Sequence, residues 1–266
     1  MPGLDDAFST RFVEVFEGTL QTLEWLRIML QREVNAPFRK FQQHDAFEAL
    51  GFMFTMLNFA DGFAFDYIVG QKENVVCPNC GVVMERQCEN DDGDGFLEIP
   101  IEKYMQANDV QALIDAYQTE QKKQVECYGC HVTSESRTKN EIYQTGQFLI
   151  MKLYWFAHGP NGANLINDKE IFPSHEITVN GKVYHLKSLV MHDMRNADSG
   201  HHTAHLFVNE QWIKRSDESV TYNSNVPKKP YILFYEEGPA HLPAMEVSMG
   251  DDEPVEGNII KFLLEK

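Results

Sequence analysis

The sequence has few basic residues, few cysteines and no long apolar run. Its 266 residues include 23 Lys and Arg against 40 Asp and Glu, a formal net charge of −17 at pH 7. Phosphate groups repel such a chain, so we expect neither nucleic acid nor an anionic membrane as partner; the charge suits a basic partner or simply solubility. No apolar run could span a membrane, and residues 1–20 lack the apolar core that a signal peptide needs.

The five cysteines do not form the dense framework of a small secreted protein. Four of them form two Cys-x-x-Cys pairs, and Cys88 stands alone. This usage fits a reducing compartment, so we expect an intracellular protein, cytoplasmic and/or nuclear. With 43% hydrophobic residues and 18 Phe, the chain can build the core of one large domain or of a domain with lobes.

The two cysteine pairs are the strongest local signal. Cys77-Pro78-Asn79-Cys80 and Cys127-Tyr128-Gly129-Cys130 are separated by 46 residues. Each tight turn offers two thiols, and two such turns at hairpin tips would complete a tetrahedral set of four sulfurs for Zn²⁺. A redox Cys-x-x-Cys motif or two incidental pairs are the alternatives. Four thiolates leave no position for water, so the zinc would be structural.

Helical patterns come first along the chain. Apolar residues recur at helical spacing in Phe8–Arg32, and Asn35-Ala36-Pro37 ends that pattern. A second helix carries one apolar face, made of Ala46, Leu50, Met53, Phe54 and Leu57. From Phe63 onward short strands and turns dominate.

Between the cysteine pairs, the acidic run Glu89–Gly95 does not fit the twelve-residue EF-hand loop and reads as a solvated hairpin tip. Phe96–Ile101 is predicted to be a strand. Asn108-Asp109 is predicted to cap a short helix with four apolar residues on one face, namely Val110, Leu113, Ile114 and Tyr117.

Beyond the second pair the pattern predicts a run of strands. Phe148–Tyr154 has few polar residues and should be central in a sheet. Asn180-Gly181 between two short apolar runs predicts a hairpin with a type I′ turn. Further strands are expected at Leu186–Met191, Thr203–Val208 and Tyr231–Tyr235, and a short helix at Asn258–Lys266.

One histidine stands in a setting that could carry chemistry. Gly200 precedes His201 at a strand entrance, where a glycine permits close backbone approach and a well-held imidazole. A side chain on the next strand, in Ser216-Asp217, could orient that ring, as in the base half of a nucleophilic triad. With ten histidines in the chain, this pattern taken alone favours a packing or surface role over a catalytic one.

Two carboxylates lie near the start of the second helix. Asp45 and Glu48 are three residues apart and therefore share one helix face. They could bind arginines of a partner. They could also simply cap a solvated first turn, where the helix dipole favours negative charge.

Taken in order, these segments resemble the ubiquitin-specific proteases. Residues 43–48 are similar to that family's Gln-Gln-Asp-Ala-x-Glu segment, and residues 199–204 to its Ser-Gly-His-Tyr-x-Ala. Between them come the two cysteine pairs and the strand at residues 149–156. The resemblance covers about Phe41 to Glu236 and includes Trp212, Ser216-Asp217 and Tyr231–Tyr235.

The resemblance implies an α+β, papain-like hand with a helical thumb, an antiparallel β palm and zinc-bearing β fingers. The thumb would be amino-terminally incomplete in residues 1–62, the fingers and palm would span 63–237, and 238–266 would be an acidic tail. Ubiquitin, or a ubiquitinated protein, would be the partner, met by Asp45 and Glu48. Cys77, Cys80, Cys127 and Cys130 would hold the structural Zn²⁺, and His201 would be the base.

The sequence also departs from the family pattern. The family's nucleophilic cysteine lies in an amino-terminal Gly-Asn-Thr-Cys segment, but the first cysteine here is Cys77. Ser216 stands where an orienting Asp or Asn is usual, although Asp217 could substitute, and His202 replaces a Tyr. Cys88 should lie in the fingers and is a poor replacement nucleophile.

We therefore expect a ubiquitin-recognising domain whose family reaction is thiol-dependent hydrolysis of ubiquitin isopeptide bonds, but which is inactive as given. The alternative is a fragment of an active cysteine-type deubiquitinase. A zinc-stabilised β protein unrelated to ubiquitin is a third interpretation.

Overall fold

The structure is a computed structural model. It describes residues 45–51, 67–88, 95–159, 162–166, 169–196, 199–208, 211–216, 219–222, 224–225 and 227–238. No helix among these residues is long and apolar enough to cross a membrane.

The chain divides into two compact units. One, called the cysteine unit here, comprises Asp66–Lys187 and Pro227–His241. The other, called the histidine unit, comprises Met1–Phe65, Ser188–Val226 and Leu242–Lys266.

The cysteine unit contains a four-stranded antiparallel sheet. Its strands are β1 (Gly70–Val76), β2 (Val83–Arg86), β4 (Gln121–Glu126) and β5 (Thr133–Gln144), in the order β2-β1-β5-β4. Alternate residues of β1 are buried, as expected for a strand with one covered face. The buried carboxylate of Glu73 is paired with Lys123 Nζ at 2.6 Å, which offsets part of the cost of removing that charge from water.

The segment between β2 and β4 confirms the predicted strand and helix. It forms β3 (Leu97–Pro100), a 3₁₀ turn (Ile101–Tyr104) and the helix α2 (Val110–Tyr117). Asp109 caps the helix, because its Oδ1 accepts a hydrogen bond from the Ala112 N–H at 2.8 Å. The four apolar residues of the predicted face are all buried.

A second sheet in the cysteine unit contains β6 (Phe148–Tyr154) at an interior position. β6 pairs in parallel with β3 and antiparallel with β14 (Pro230–Glu237), so the predicted central strand is confirmed. The strands β7 (Phe156–Gly159) and β8 (Gly162–Leu165) form a separate pair.

The predicted hairpin joins β9 (Glu176–Val179) to β10 (Lys182–Asn196). Asn180 and Gly181 have φ angles of 52° and 75°, as a type I′ turn requires at both central positions. β10 begins in the cysteine unit and ends in the histidine unit.

In the histidine unit, the end of β10 pairs with β11 (Ser199–Val208), followed by β12 (Gln211–Ser216) and β13 (Ser219–Thr221). Within this unit the strand order is β13-β12-β11-β10. This unit also contains helical residues 46–51, the segment α1. Ala46, Phe47, Ala49 and Leu50 are buried there and Glu48 is exposed, which confirms the apolar face at Ala46 and Leu50.

Several predictions lie outside the described residues. These are the helix at Phe8–Arg32, the apolar positions at Met53, Phe54 and Leu57, most of the acidic run at 89–95, the side chain of Asp217, and nearly all of the tail from 238 with its predicted terminal helix.

Candidate metal centre and histidine site

The two Cys-x-x-Cys turns have the same backbone design. Cys77–Val82 joins β1 to β2, and Cys127–Val132 joins β4 to β5. In each turn the N–H of the first cysteine donates to the valine carbonyl, at 3.0 and 3.1 Å. The residue after the second cysteine has a positive φ in both, 74° at Gly81 and 56° at His131. Two hairpin tips thus present their thiols in the same way, as predicted.

The four sulfurs of these turns form one cluster. The sulfurs of Cys77, Cys80, Cys127 and Cys130 all lie within 4.8 Å of one another. Two of the distances, Cys77 to Cys130 and Cys80 to Cys127, are 3.8 and 3.6 Å. Sulfurs held about 2.3 Å from a tetrahedral Zn²⁺ lie about 3.8 Å apart, so the cluster fits a Zn²⁺ ion. The predicted structural zinc site is confirmed in its ligands and spacing.

The electrostatics of the cluster also favour a cation. The backbone N–H of Cys80 donates toward the Cys77 sulfur and lowers the pKa of that thiol to about 6. For Cys130 the N–H of Val132 acts in the same direction, but burial and the neighbouring sulfurs prevail and raise the pKa to about 12. Four adjacent thiols therefore ionise together only when a cation offsets their charge.

In the histidine unit, His201 is held by a hydrogen bond to the next strand. Its Nε2 lies 2.8 Å from Ser216 Oγ, and the ring tautomer decides which of the two atoms donates. Both groups are accessible to solvent. His201 also lies directly across the β10–β11 ladder from Asp193. The structure thus brings together His201 and Ser216, two of the three residues expected from the sequence to form the base and its orienting group.

A second histidine, His192, contacts the residue that follows His201, and the sequence did not predict this contact. His192 on β10 is opposite His202 on β11, and the two rings stack with centroids 4.0 Å apart and planes at 14°. Only the register of the two strands places these residues together, and that register cannot be read from their separation along the chain.

The two candidate partner-binding carboxylates occupy different settings. Asp45 Oδ1 accepts a hydrogen bond from the Phe47 N–H at 2.6 Å, so it caps α1, while Glu48 is exposed one residue beyond Phe47. Capping engages one carboxylate oxygen of Asp45 and leaves its negative charge in place. The cap and the proposed recognition of arginine are therefore compatible.

The remaining cysteine belongs to the cysteine unit. Cys88 is buried just beyond β2, and its sulfur lies 3.9 Å from Asn140 Oδ1 on β5. This position agrees with the expectation that Cys88 lies in the same β-strand region as the cysteine pairs.

Four clustered cysteines between two β-hairpins, and a histidine paired with a serine across two antiparallel strands, are features that the resemblance to zinc-bearing, papain-like hydrolase domains implied. A family model of ubiquitin carboxyl-terminal hydrolases matches residues 20–235. The chain belongs to that family, so the resemblance seen in the sequence is confirmed. A comparison with curated protein sequences gives no match.

Solved structures confirm the fold. The chain is similar to a chain of the SAGA DUB module, which contains a substituted Ubp8 together with Sgf11, Sus1 and Sgf73 and is bound to monoubiquitin. The TM-score is 0.69 and the sequence identity is 18%. The match covers 89% of this chain and 60% of that one. The SAGA Ubp8/Sgf11/Sus1/Sgf73 DUB module bound to ubiquitin aldehyde gives a TM-score of 0.68 and 17% identity, covering 91% and 61%.

A yeast SAGA DUBm that carries a mutant Sgf73 gives a TM-score of 0.52 and 16% identity. That match covers 83% of this chain and 51% of the other. The chain thus spans about 60% of the length of the first structures that it matches. The fold is the ubiquitin-specific protease fold of Ubp8.

Proposed function

We propose that this chain recognises ubiquitin or ubiquitinated proteins and, as given, does not hydrolyse the isopeptide bond. The observation that carries the proposal is that all five cysteines of the sequence belong to the cysteine unit, whereas His201 and Ser216 belong to the histidine unit. Four of the five cysteines form the metal cluster, and the fifth, Cys88, is buried in the cysteine unit. Hydrolysis by this family needs a thiolate that attacks the carbonyl carbon, and no cysteine of the chain is left for that role.

The residue roles follow from this proposal. His201 would be the base, and Ser216 would orient it through Nε2, with Asp217 as the substitute for that orienting role. With Nε2 engaged by Ser216, Nδ1 is the ring atom that would take a proton from a thiol. Asp45 and Glu48 would meet basic side chains of ubiquitin. The partner would be ubiquitin, with neither nucleic acid nor membrane, in the cytoplasm and/or nucleus.

The alternative function is that of a fragment of an active cysteine-type deubiquitinase, whose cysteine segment belongs to a longer chain. The hydrogen bond between His201 and Ser216 favours it, because a base without a nucleophile has no need to be oriented. Substitution of the usual Asp or Asn by Ser216, and of the usual Tyr by His202, favours the binding module.

A ubiquitin derivative with an electrophile at its carboxyl terminus separates these functions. We expect the purified chain to bind unmodified ubiquitin in titration calorimetry and to form no covalent adduct with the derivative. Failure to bind ubiquitin would contradict the proposal, and an adduct on Cys88 would overturn the exclusion of that residue. The matched control is the Cys88→Ser variant, which should bind ubiquitin as the unmodified chain does. Isopeptide cleavage after a Gly-Asn-Thr-Cys segment is joined upstream would favour the alternative.

A further inference from the structure

The ring of His192 contacts both chain neighbours of His201. On one side it stacks on His202, with the centroids 4.0 Å apart. On the other side it lies against Gly200, since a Cβ built at that glycine would overlap the Nε2 and Cδ2 atoms of His192. The imidazole therefore occupies the space that a side chain at position 200 would take.

Gly200 has a second reason to lack a side chain. Its Cβ would also stand 2.7 Å from the carbonyl oxygen of Asp193, closer than real Cβ atoms approach an oxygen. Strand β11 thus passes unusually close to β10 at this residue, and glycine permits the approach. The close passage is what lets one ring touch positions 200 and 202 together.

His201 points to the opposite face from these contacts. Successive side chains of a strand alternate between faces, so Gly200 and His202 face His192 while His201 faces Ser216. The pairing of β10 with β11 is irregular beside this point, with a register shift between Met194 and Asn196. A strand that loses regular pairing needs other contacts to hold the direction of its side chains.

We propose that His192 is a positioning residue, which clamps Gly200 and His202 and so holds the His201 imidazole against Ser216. The significance of the clamp rests on the proposed role of His201 as the base.

The surroundings of His192 favour its uncharged form. Burial lowers the pKa of His192, and this effect exceeds the opposing attraction of the Asp45 and Asp193 carboxylates. His202 is a further titratable group that faces the ring. An uncharged His192 adds no positive charge to its stack with His202, so protonation of His192 is expected to weaken the clamp.

The test is ¹⁵N NMR of the histidine rings in the full chain at pH 7.5, which reports the tautomer and hydrogen bonding of His201. Ser216→Ala provides the reference for a His201 ring that has lost its partner. We expect the His192→Ala substitution to move the ¹⁵N chemical shifts of the His201 ring toward those measured in Ser216→Ala. His192→Phe, which keeps a flat ring over Gly200, should leave them at the wild-type values.

Unchanged ¹⁵N chemical shifts of the His201 ring in a folded His192→Ala variant would overturn the proposal, whatever the loss in Tm. If His192→Ala does not fold, His202→Ala removes the other half of the stack, and the same two outcomes apply to it. Ubiquitin binding of the unmodified chain is measured on the same samples. A chain that does not bind ubiquitin counts against the proposed function, whereas insensitivity of the His201 ring to His192 counts against the clamp alone.

Discussion

At the scale of single residues, His205 shows how burial determines the state of an ionisable group. It lies on β11 with only 6% of its surface exposed, and its Nε2 is 3.2 Å from Thr203 Oγ1. Its buried Nδ1 has no hydrogen-bond partner among the described residues. Burial, and secondarily the positive charge of Lys214, lower the pKa of His205 to about 4. The ring is therefore neutral in the folded protein at pH 7.

This shift predicts a pH dependence of stability. The unfolded chain protonates His205 near pH 6.5, while the folded chain resists until about pH 4. The stabilising contribution is complete above pH 6.5, and up to about 3 kcal/mol is lost as the pH falls from 6.5 toward 4. The free energy of unfolding from urea titrations at several pH values should show this slope.

His205→Gln should flatten that slope, since glutamine does not titrate. His175 and His192, whose pKa values are also lowered, will preserve part of it. The control is His201→Gln, which removes an exposed histidine. Equal slopes in the unmodified chain and His205→Gln would contradict the prediction.

At the scale of elements, the four-stranded sheet depends on its two cysteine turns. β1–β2 and β4–β5 are separate hairpins, joined through the pairing of β1 with β5 and through the metal cluster. Beneath the cluster lies a small core, made of Val75, Met84, Val125, Cys77 and Cys127 with Val82 and Cys130 packed against it. So small a core buries little apolar surface, and a metal that crosslinks both hairpins supplies much of their stability.

Purified protein is therefore expected to contain about one Zn²⁺ per chain by elemental analysis. Chelation, or Cys80→Ser with Cys130→Ser, should lower the Tm and expose β1 and β5 amides to hydrogen exchange, because no ion then joins the two hairpin tips. Cys88→Ser is the matched control, as it removes a buried cysteine outside the cluster. Less than about half an equivalent of zinc, or full stability of the double variant, would contradict the assignment.

At the scale of the whole molecule, the charge of −17 sets the kind of partner that the chain attracts. Long-range attraction to a basic surface accelerates association and weakens as salt screens it. Asp45 and Glu48 are the acidic residues for which a specific contact is proposed. Because Asp45 also caps α1, replacing it with alanine would confuse loss of charge with loss of the cap.

Asp45→Asn with Glu48→Gln avoids that difficulty, since asparagine caps a helix about as well as aspartate. We expect this variant to keep its Tm and to lose about 1 kcal/mol or more of ubiquitin-binding free energy, roughly a fivefold rise in Kd. Asp115→Asn with Glu120→Gln removes the same charge from the cysteine unit and is the control. If both variants bind with the same affinity, Asp45 and Glu48 serve only as part of a helix cap.

The sequence alone determined the features that depend on local chemistry. The Asp109 cap, the type I′ turn at Asn180-Gly181, the central strand β6 and the four metal ligands all follow from residue types at short, fixed spacings. Such signals act over a few residues, where the backbone allows few alternatives. The order of these motifs also sufficed to indicate the family.

Only the tertiary structure decided which distant residues meet. The stack of His192 on His202 and the close passage of β10 over Gly200 depend on strand register and on a local irregularity in it. A shift of one residue would turn each of these side chains to the other face, and no spacing along the chain records the shift. The register between strands depends on many weak contacts across the whole sheet, and these contacts exist only in the folded molecule.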